Sequence, residues 1–148
     1  MKKLVIALGI LLIIMAGSYY FYYTYANAEL TAENTTASVH ADDFVLHVRV
    51  EKEESGFRVF RSIQYVGEGE VRIVHQTPLI SVSFRHKNHD YTGSTVSEAL
   101  GEDSNYHPQD PKHFESPKKG EYTLYCKAKF SVDGEEKKIT HSEKLTFN

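Results

Sequence analysis

Leu4 to Tyr25 is a run of twenty-two uncharged residues directly behind Met1-Lys2-Lys3, and it limits every other reading of the chain. As an α-helix rising about 1.5 Å per residue it reaches roughly 33 Å, enough for the hydrocarbon core of a bilayer. The two lysines hold the N-terminus on the cytoplasmic side, so the rest of the chain lies on the other side. The run is aliphatic from Leu4 to Gly17 and then reads SYYFYYTY from Ser18 to Tyr25, an aromatic belt at headgroup level. A cleaved signal peptide is the competing expectation. Ala26-Asn27-Ala28 fits the small-x-small rule for cleavage before Glu29, and Leu4 to Gly17 has the length of an h-region. The expected location is therefore the cell membrane, single-pass with an extracytoplasmic C-terminal domain, or else secretion after cleavage following Ala28.

The chain of 148 residues divides into three expected parts. Residues 1–28 form the anchor or signal peptide, residues 29–42 (ELTAENTTASVHAD) a polar linker without apolar periodicity, and residues 43–148 one extracytoplasmic domain. Of 17 basic residues, Lys2 and Lys3 precede Glu29, leaving 15 against 20 acidic residues, a net of −5. Basic and acidic residues alternate along the chain, which argues against a nucleic-acid partner. All 8 histidines lie beyond the apolar run, so the surface potential can change sign on mild acidification, the basis of a third reading as a pH-responsive surface protein. Cys126 is the only cysteine, which excludes an internal disulfide.

Beyond the linker, alternation with a period of two predicts strands. Phe44, Leu46, Val48 and Val50 share one face. Phe57, Val59, Arg61, Ile63 and Tyr65 alternate with Arg58, Phe60, Ser62 and Gln64. Val71 and Ile73 follow the Gly67-Glu68-Gly69 turn, Pro78 interrupts, and Ile80, Val82 and Phe84 resume. The longest alternation places Tyr122, Leu124, Cys126, Ala128, Phe130 and Val132 inward. Asp133-Gly134 then forms a two-residue hairpin turn, and the return strand carries Ile139, Leu145 and Phe147 in phase, with His141 and Glu143 as exceptions. From His86 to Lys119 no strand period is visible. Thr95-Val96-Ser97-Glu98 matches a capping box and Gly101 a C-terminal stop, predicting a short helix there.

The stretch Pro117-Lys118-Lys119-Gly120-Glu121-Tyr122-Thr123-Leu124 resembles the start of the penultimate strand of immunoglobulin-like sandwiches, in which a tyrosine hydroxyl braces the corner. Leu124 stands where antibody-type domains have cysteine, and the chain has no tryptophan. The texture is similar to cysteine-poor bacterial immunoglobulin-like modules of the cell envelope. This resemblance implies an all-β fold, an antiparallel immunoglobulin-like β-sandwich of 6–7 strands behind the N-terminal helix, and implies no function.

No Gly-x-Ser-x-Gly elbow, glycine-rich phosphate loop or HExxH occurs, and alternation buries Cys126, so an enzyme is not expected. The leading expectation is a non-catalytic interaction module binding a protein or cell-envelope component, with no cofactor. Its partners are the membrane, through the N-terminal helix, and that unidentified ligand. Tyr91, Tyr106, Phe114 and Tyr125 are the contact candidates, because tyrosine supplies contact area at low entropy cost. The alternative is a Zn or Cu site in the long loop, where His86, His89, His107 and His113 offer imidazole ligands beside Asp90, Asp103 and Asp110.

Overall fold

The apolar run forms helix α1 (Lys2–Tyr25), and a computed structural model describes residues 2–25, 28–88 and 91–148 of the chain. Ile6–Tyr23 is long and apolar enough to cross a membrane by length and composition. Its large side chains are exposed all round the helix rather than along one stripe, Ile13 at 74% and Tyr22 at 75%, unlike a helix that packs on a core.

Among the described residues ten strands follow: β1 (Asn34–Ala41), β2 (Phe44–Glu53), β3 (Gly56–Tyr65), β4 (Val71–Gln76), β5 (Ile80–Phe84), β6 (Thr95–Leu100), β7 (Asn105–Tyr106), β8 (Lys112–Glu115), β9 (Gly120–Val132) and β10 (Glu135–Phe147). They make two antiparallel five-stranded sheets. In the first, β1, β2 and β3 are consecutive neighbours, and β7 and β8 lie in series along the far edge of β3. In the second, β10 pairs with β9, β5 and β4 lie in series along the other edge of β9, and β6 extends β4. Pro78 falls between β4 and β5, as the sequence predicts for a residue without an amide hydrogen.

The two sheets meet through the residues that alternation places inward. Leu46, Val50, Phe57, Val59, Ile63, Ile73, Ile80, Leu124, Ala128 and Phe147 have no exposed surface. At the end where β9 begins and β10 ends, aromatic rings join the sheets: Phe57 contacts Phe84 at 4.9 Å, Phe114 at 5.3 Å and Phe147 at 5.7 Å between centroids. Tyr122 joins this cluster through its ring, 5.7 Å from Phe84 and 5.9 Å from Phe147. The hydroxyl brace lies elsewhere: Tyr65 Oη donates to the Glu68 carbonyl at 3.0 Å and ties down the β3–β4 corner.

Three expectations change. Residues 29–42 are not a free linker. Glu29 N donates to Asn148 O and Thr31 N to Thr146 O, Leu30 is 1% exposed opposite Phe147, and Asn34–Ala41 is strand β1. An edge strand takes its hydrogen bonds from its neighbour, so small polar residues suffice if alternate ones face the core; Thr35, Ala37, Val39 and Ala41 do so, half-buried. Thr95–Glu98 belongs to β6 rather than a helix. A single helical turn is marginal by itself, whereas the edge of β4 offers β6 a continuous register from Gln76↔Thr95 to Val71↔Leu100. The stretch His86 to Lys119 thus holds β6, β7 and β8, which raises the strand count above the 6–7 expected.

The β9–β10 hairpin turns on Asp133 and Gly134, both at positive φ (50° and 81°), as its two-residue turn requires. Gly56 does more: its φ is +153°, and a Cβ there would stand 2.0 Å from the Phe114 carbonyl oxygen, so β8 can pair with β3 only because this residue is glycine. Gly56→Ala is expected to cost about 2 kcal/mol or more and Gly134→Ala about 1 kcal/mol, with urea unfolding of the two variants checking the order.

Candidate functional site

The outer face of the first sheet carries the side chains at the opposite parity, and on it lies a groove of about 390 Å³ lined by Thr36, His47, Arg49, Phe60, Asn105 and His107 among others. Two consecutive breaks in the β3 alternation build it. Phe60, at an outward position, supplies an aromatic floor, and the Arg49 guanidinium lies 4.4 Å above its centroid while also pairing with Glu51 at 3.1 Å. Arg61, at an inward position, fills the stretch of β3 edge that neither β7 nor β8 covers. Its Nε donates to Ile80 O at 3.3 Å and its Nη1 to Asp110 O at 2.7 Å. Burial pulls its pKa below the usual arginine range, yet a guanidinium stays charged in a protein.

His47 is fixed across three strands. Its Nε2 lies 2.8 Å from Gln64 Oε1 and its Nδ1 2.9 Å from Ser38 Oγ. The amide oxygen can only accept, so Nε2 carries a hydrogen in this arrangement. The segment between β7 and β8 forms the opposite wall, and it and the start of β8 are bonded to the second sheet: Ile80 N donates to Gln109 Oε1 at 3.3 Å, and Lys112 Nζ to Val82 O at 2.9 Å. Those donors and acceptors occupy the free edge of β5 where a further strand would otherwise pair. The groove thus has two arginines and two histidines in its lining and no carboxylate, on a chain whose net charge is −3.

The residues expected from sequence are dispersed. Tyr106 and Phe114 are half-buried and face inward on β7 and β8: Tyr106 Oη donates to His75 Nε2 at 3.0 Å, and Phe114 stacks on Phe57. Tyr91 has a buried hydroxyl without a hydrogen-bond partner and lies 6.0 Å beneath Lys129 Nζ. Tyr125 is half-buried on the outer face of the second sheet, opposite Ser83 and Ser142. Of the loop histidines, His86 is exposed just after β5 and His107 lines the groove. His113 Nδ1 pairs with Glu53 Oε2 at 2.7 Å, a carboxylate that Arg58 also binds. His89 lies outside the described residues, as do Asp90 and the Ala26-Asn27 part of the cleavage motif. Among the described residues no three of His, Cys, Asp and Glu converge as a metal-holding group. Of the groove residues, Phe60 and Arg61 were legible as parity exceptions, an aromatic on the polar face beside a cation on the apolar one, whereas Arg49 keeps the outward parity of its strand.

A second set of parity exceptions, His141 and Glu143, faces the interior beside β1. Thr35 Oγ1 donates to Glu143 Oε2 at 2.9 Å, and His141 Nε2 is 3.5 Å from Glu143 Oε1. His141 is the direct cross-strand neighbour of Cys126, a Cys/His/Glu sequence of side chains that a nucleophilic site also uses. Here the thiol is 2% exposed and its pKa is pushed up to about 12, by burial first and by the Glu143 carboxylate second. It stays protonated at neutral pH and cannot act as a thiolate.

No protein-family model matches the chain, and no curated protein does. Among solved structures, the GAE domain of GGA2p from Saccharomyces cerevisiae is similar at 12% identity and a TM-score of 0.43, over 75% of this chain and 97% of that one. At that distance nothing about function carries across.

Because the thiol pKa is higher folded than unfolded, its burial adds stability that is complete below the ordinary thiol pKa and is lost as pH rises from about 9 towards about 12. Cys126→Ala is therefore expected to lose less stability than the unaltered chain between neutral pH and about pH 10. Ellman's reagent is expected to leave the native thiol unmodified and to titrate it fully in denaturant.

Proposed function

We propose that this chain is a non-catalytic, membrane-anchored interaction module. In this reading α1 spans the bilayer, the sandwich stands on the side opposite Lys2 and Lys3, and the groove on the first sheet receives an acidic segment of a partner protein. The observation that carries it is the groove's composition. Arg49, Arg61, His47 and His107 line the groove together with Phe60, with no carboxylate in the lining, although acidic residues outnumber basic ones in the chain, 20 to 17. An aromatic floor under cationic walls suits a ligand carrying both carboxylates and apolar area, and like-charge surfaces elsewhere discourage other docking modes. The wall of residues 107–111 is bonded to β5, so the groove exists before a ligand arrives and little ordering opposes binding.

Retention of the helix is supported by Ala28, which is 7% exposed in the core and donates its amide to Pro117 O at 3.0 Å. Cleavage before Glu29 would remove that contact.

The test is fluorescence anisotropy of a labelled Glu-Tyr repeat peptide with the full chain in nanodiscs, against a Lys-Tyr repeat as control. The acidic peptide is expected to bind more tightly, and less so as salt rises. Arg49→Ala and Phe60→Ala are each expected to weaken it about tenfold without shifting the thermal midpoint, whereas Lys127→Ala on the other sheet leaves it unchanged. Equal binding of the two peptides, or indifference to Arg49→Ala, would remove the groove from the proposal.

A further inference from the structure

Only Ala26 and Asn27 lie between the end of α1 at Tyr25 and Ala28. From Ala28 on, the backbone is bonded into the sandwich, through Ala28 N to Pro117 O, Glu29 N to Asn148 O and Thr31 N to Thr146 O. Three residue steps reach at most about 11 Å. One end of the sandwich is therefore held within that distance of the outer end of the helix. On the reading that α1 spans the bilayer, that end meets the lipid headgroups.

The same end has an uneven charge. Pro117, which accepts from Ala28, is followed by Lys118 and Lys119, both exposed. Beside them, Arg85 N donates to Thr123 O at 3.0 Å, which brings the exposed Arg85-His86-Lys87 loop against the start of β9. The Arg85 guanidinium is held 5.3 Å from the Tyr122 ring and 5.5 Å from the Phe84 ring. Three carboxylates of this end are matched, Glu29 with Lys52 at 2.9 Å, Glu121 with Lys144 at 2.8 Å, and Glu53 with Arg58 and His113, and Glu33 adds its charge near Lys52. Glu54 and Glu115 lie across the same end, on the β2–β3 turn and at the close of β8. Arg85, Lys87, Lys118 and Lys119 thus form one cationic ledge next to the point where the helix joins.

We propose that this ledge is a phospholipid-binding surface that seats the sandwich on the headgroup phosphates of an anionic bilayer, leaving the opposite end free. The contact rests on the anchor reading and goes beyond it, because a short tether alone fixes proximity but not which loops touch lipid. Strands of 13 residues span roughly 40 Å, so the β3–β4 turn at the opposite end stands well clear of the membrane, and a partner could approach the rest of the sandwich from solution.

The test places a fluorophore at Asn88→Cys, beside the ledge, or at Glu68→Cys, on the β3–β4 turn. Cys126 is buried and escapes the label. The full chain is reconstituted in nanodiscs with anionic lipid and a nitroxide headgroup quencher. Quenching at position 88 is expected to exceed that at position 68 roughly fivefold, and to fall by about half when salt rises from about 0.05 to about 0.5 M. Lys87→Glu with Lys118→Glu and Lys119→Glu should lower it similarly, with the thermal midpoint unchanged. Lys119→Glu alone should give a smaller loss in the same direction. A chain that does not co-elute with the discs overturns the anchor reading and this proposal with it. A chain that co-elutes, yet quenches alike at both positions or ignores both salt and charge reversal, overturns the ledge and leaves the anchor standing.

Discussion

Phe57 is buried where the two sheets come closest in chemistry: its ring meets Phe114 from its own sheet and Phe84 and Phe147 from the other. Sheets that share no strand are held together by such inner-face contacts, and aromatic pairs contribute about 0.5–1.5 kcal/mol each beyond their buried area. The cluster lies at the end where Leu30 packs and β10 closes. It therefore anchors the residues around Leu30 as well as the sandwich. Gly56 belongs to the same arrangement, since β8, which brings Phe114, could not approach a side chain there.

A sandwich also has two open seams, and this chain closes each with polar groups rather than further strands. On one side Arg61, Gln109 and Lys112 engage the exposed backbone of β5. On the other, Thr35 reaches across from β1 to Glu143. Buried polar groups must find partners or destabilise the fold, so these contacts also fix the segments that carry them. Arg61 shows the consequence. By holding the Asp110 carbonyl it fixes the 107–111 segment, and that segment is a wall of the groove.

The junction between helix and sandwich has the same logic. Backbone bonds from residue 28 onward leave only Ala26 and Asn27 between the sandwich and its helix, so one end of the sandwich stays within about 11 Å of the helix end.

Much of this was legible in the sequence. The apolar run, the polarity of the strands, the burial of Cys126, the break at Pro78 and the Asp133-Gly134 turn all depend on local periodicity or on the conformational limits of single residues, which the chain carries wherever it folds. The strands missed were β1, β6, β7 and β8, which are short or polar and exist because a neighbouring strand offers unpaired amides and carbonyls. The groove was missed for a related reason: Thr36, Arg49, Phe60 and His107 come from separate stretches of chain, and only the sheet register sets them side by side. The ledge likewise needs Arg85 to meet the start of β9. By itself the sequence determined which residues are apolar, which face each long strand buries and where the chain must turn, because those follow from side-chain chemistry at fixed spacing. Which edges pair, which cations gather and how near the domain stands to its helix were decided by the tertiary structure alone, because each depends on contacts between residues far apart in the chain.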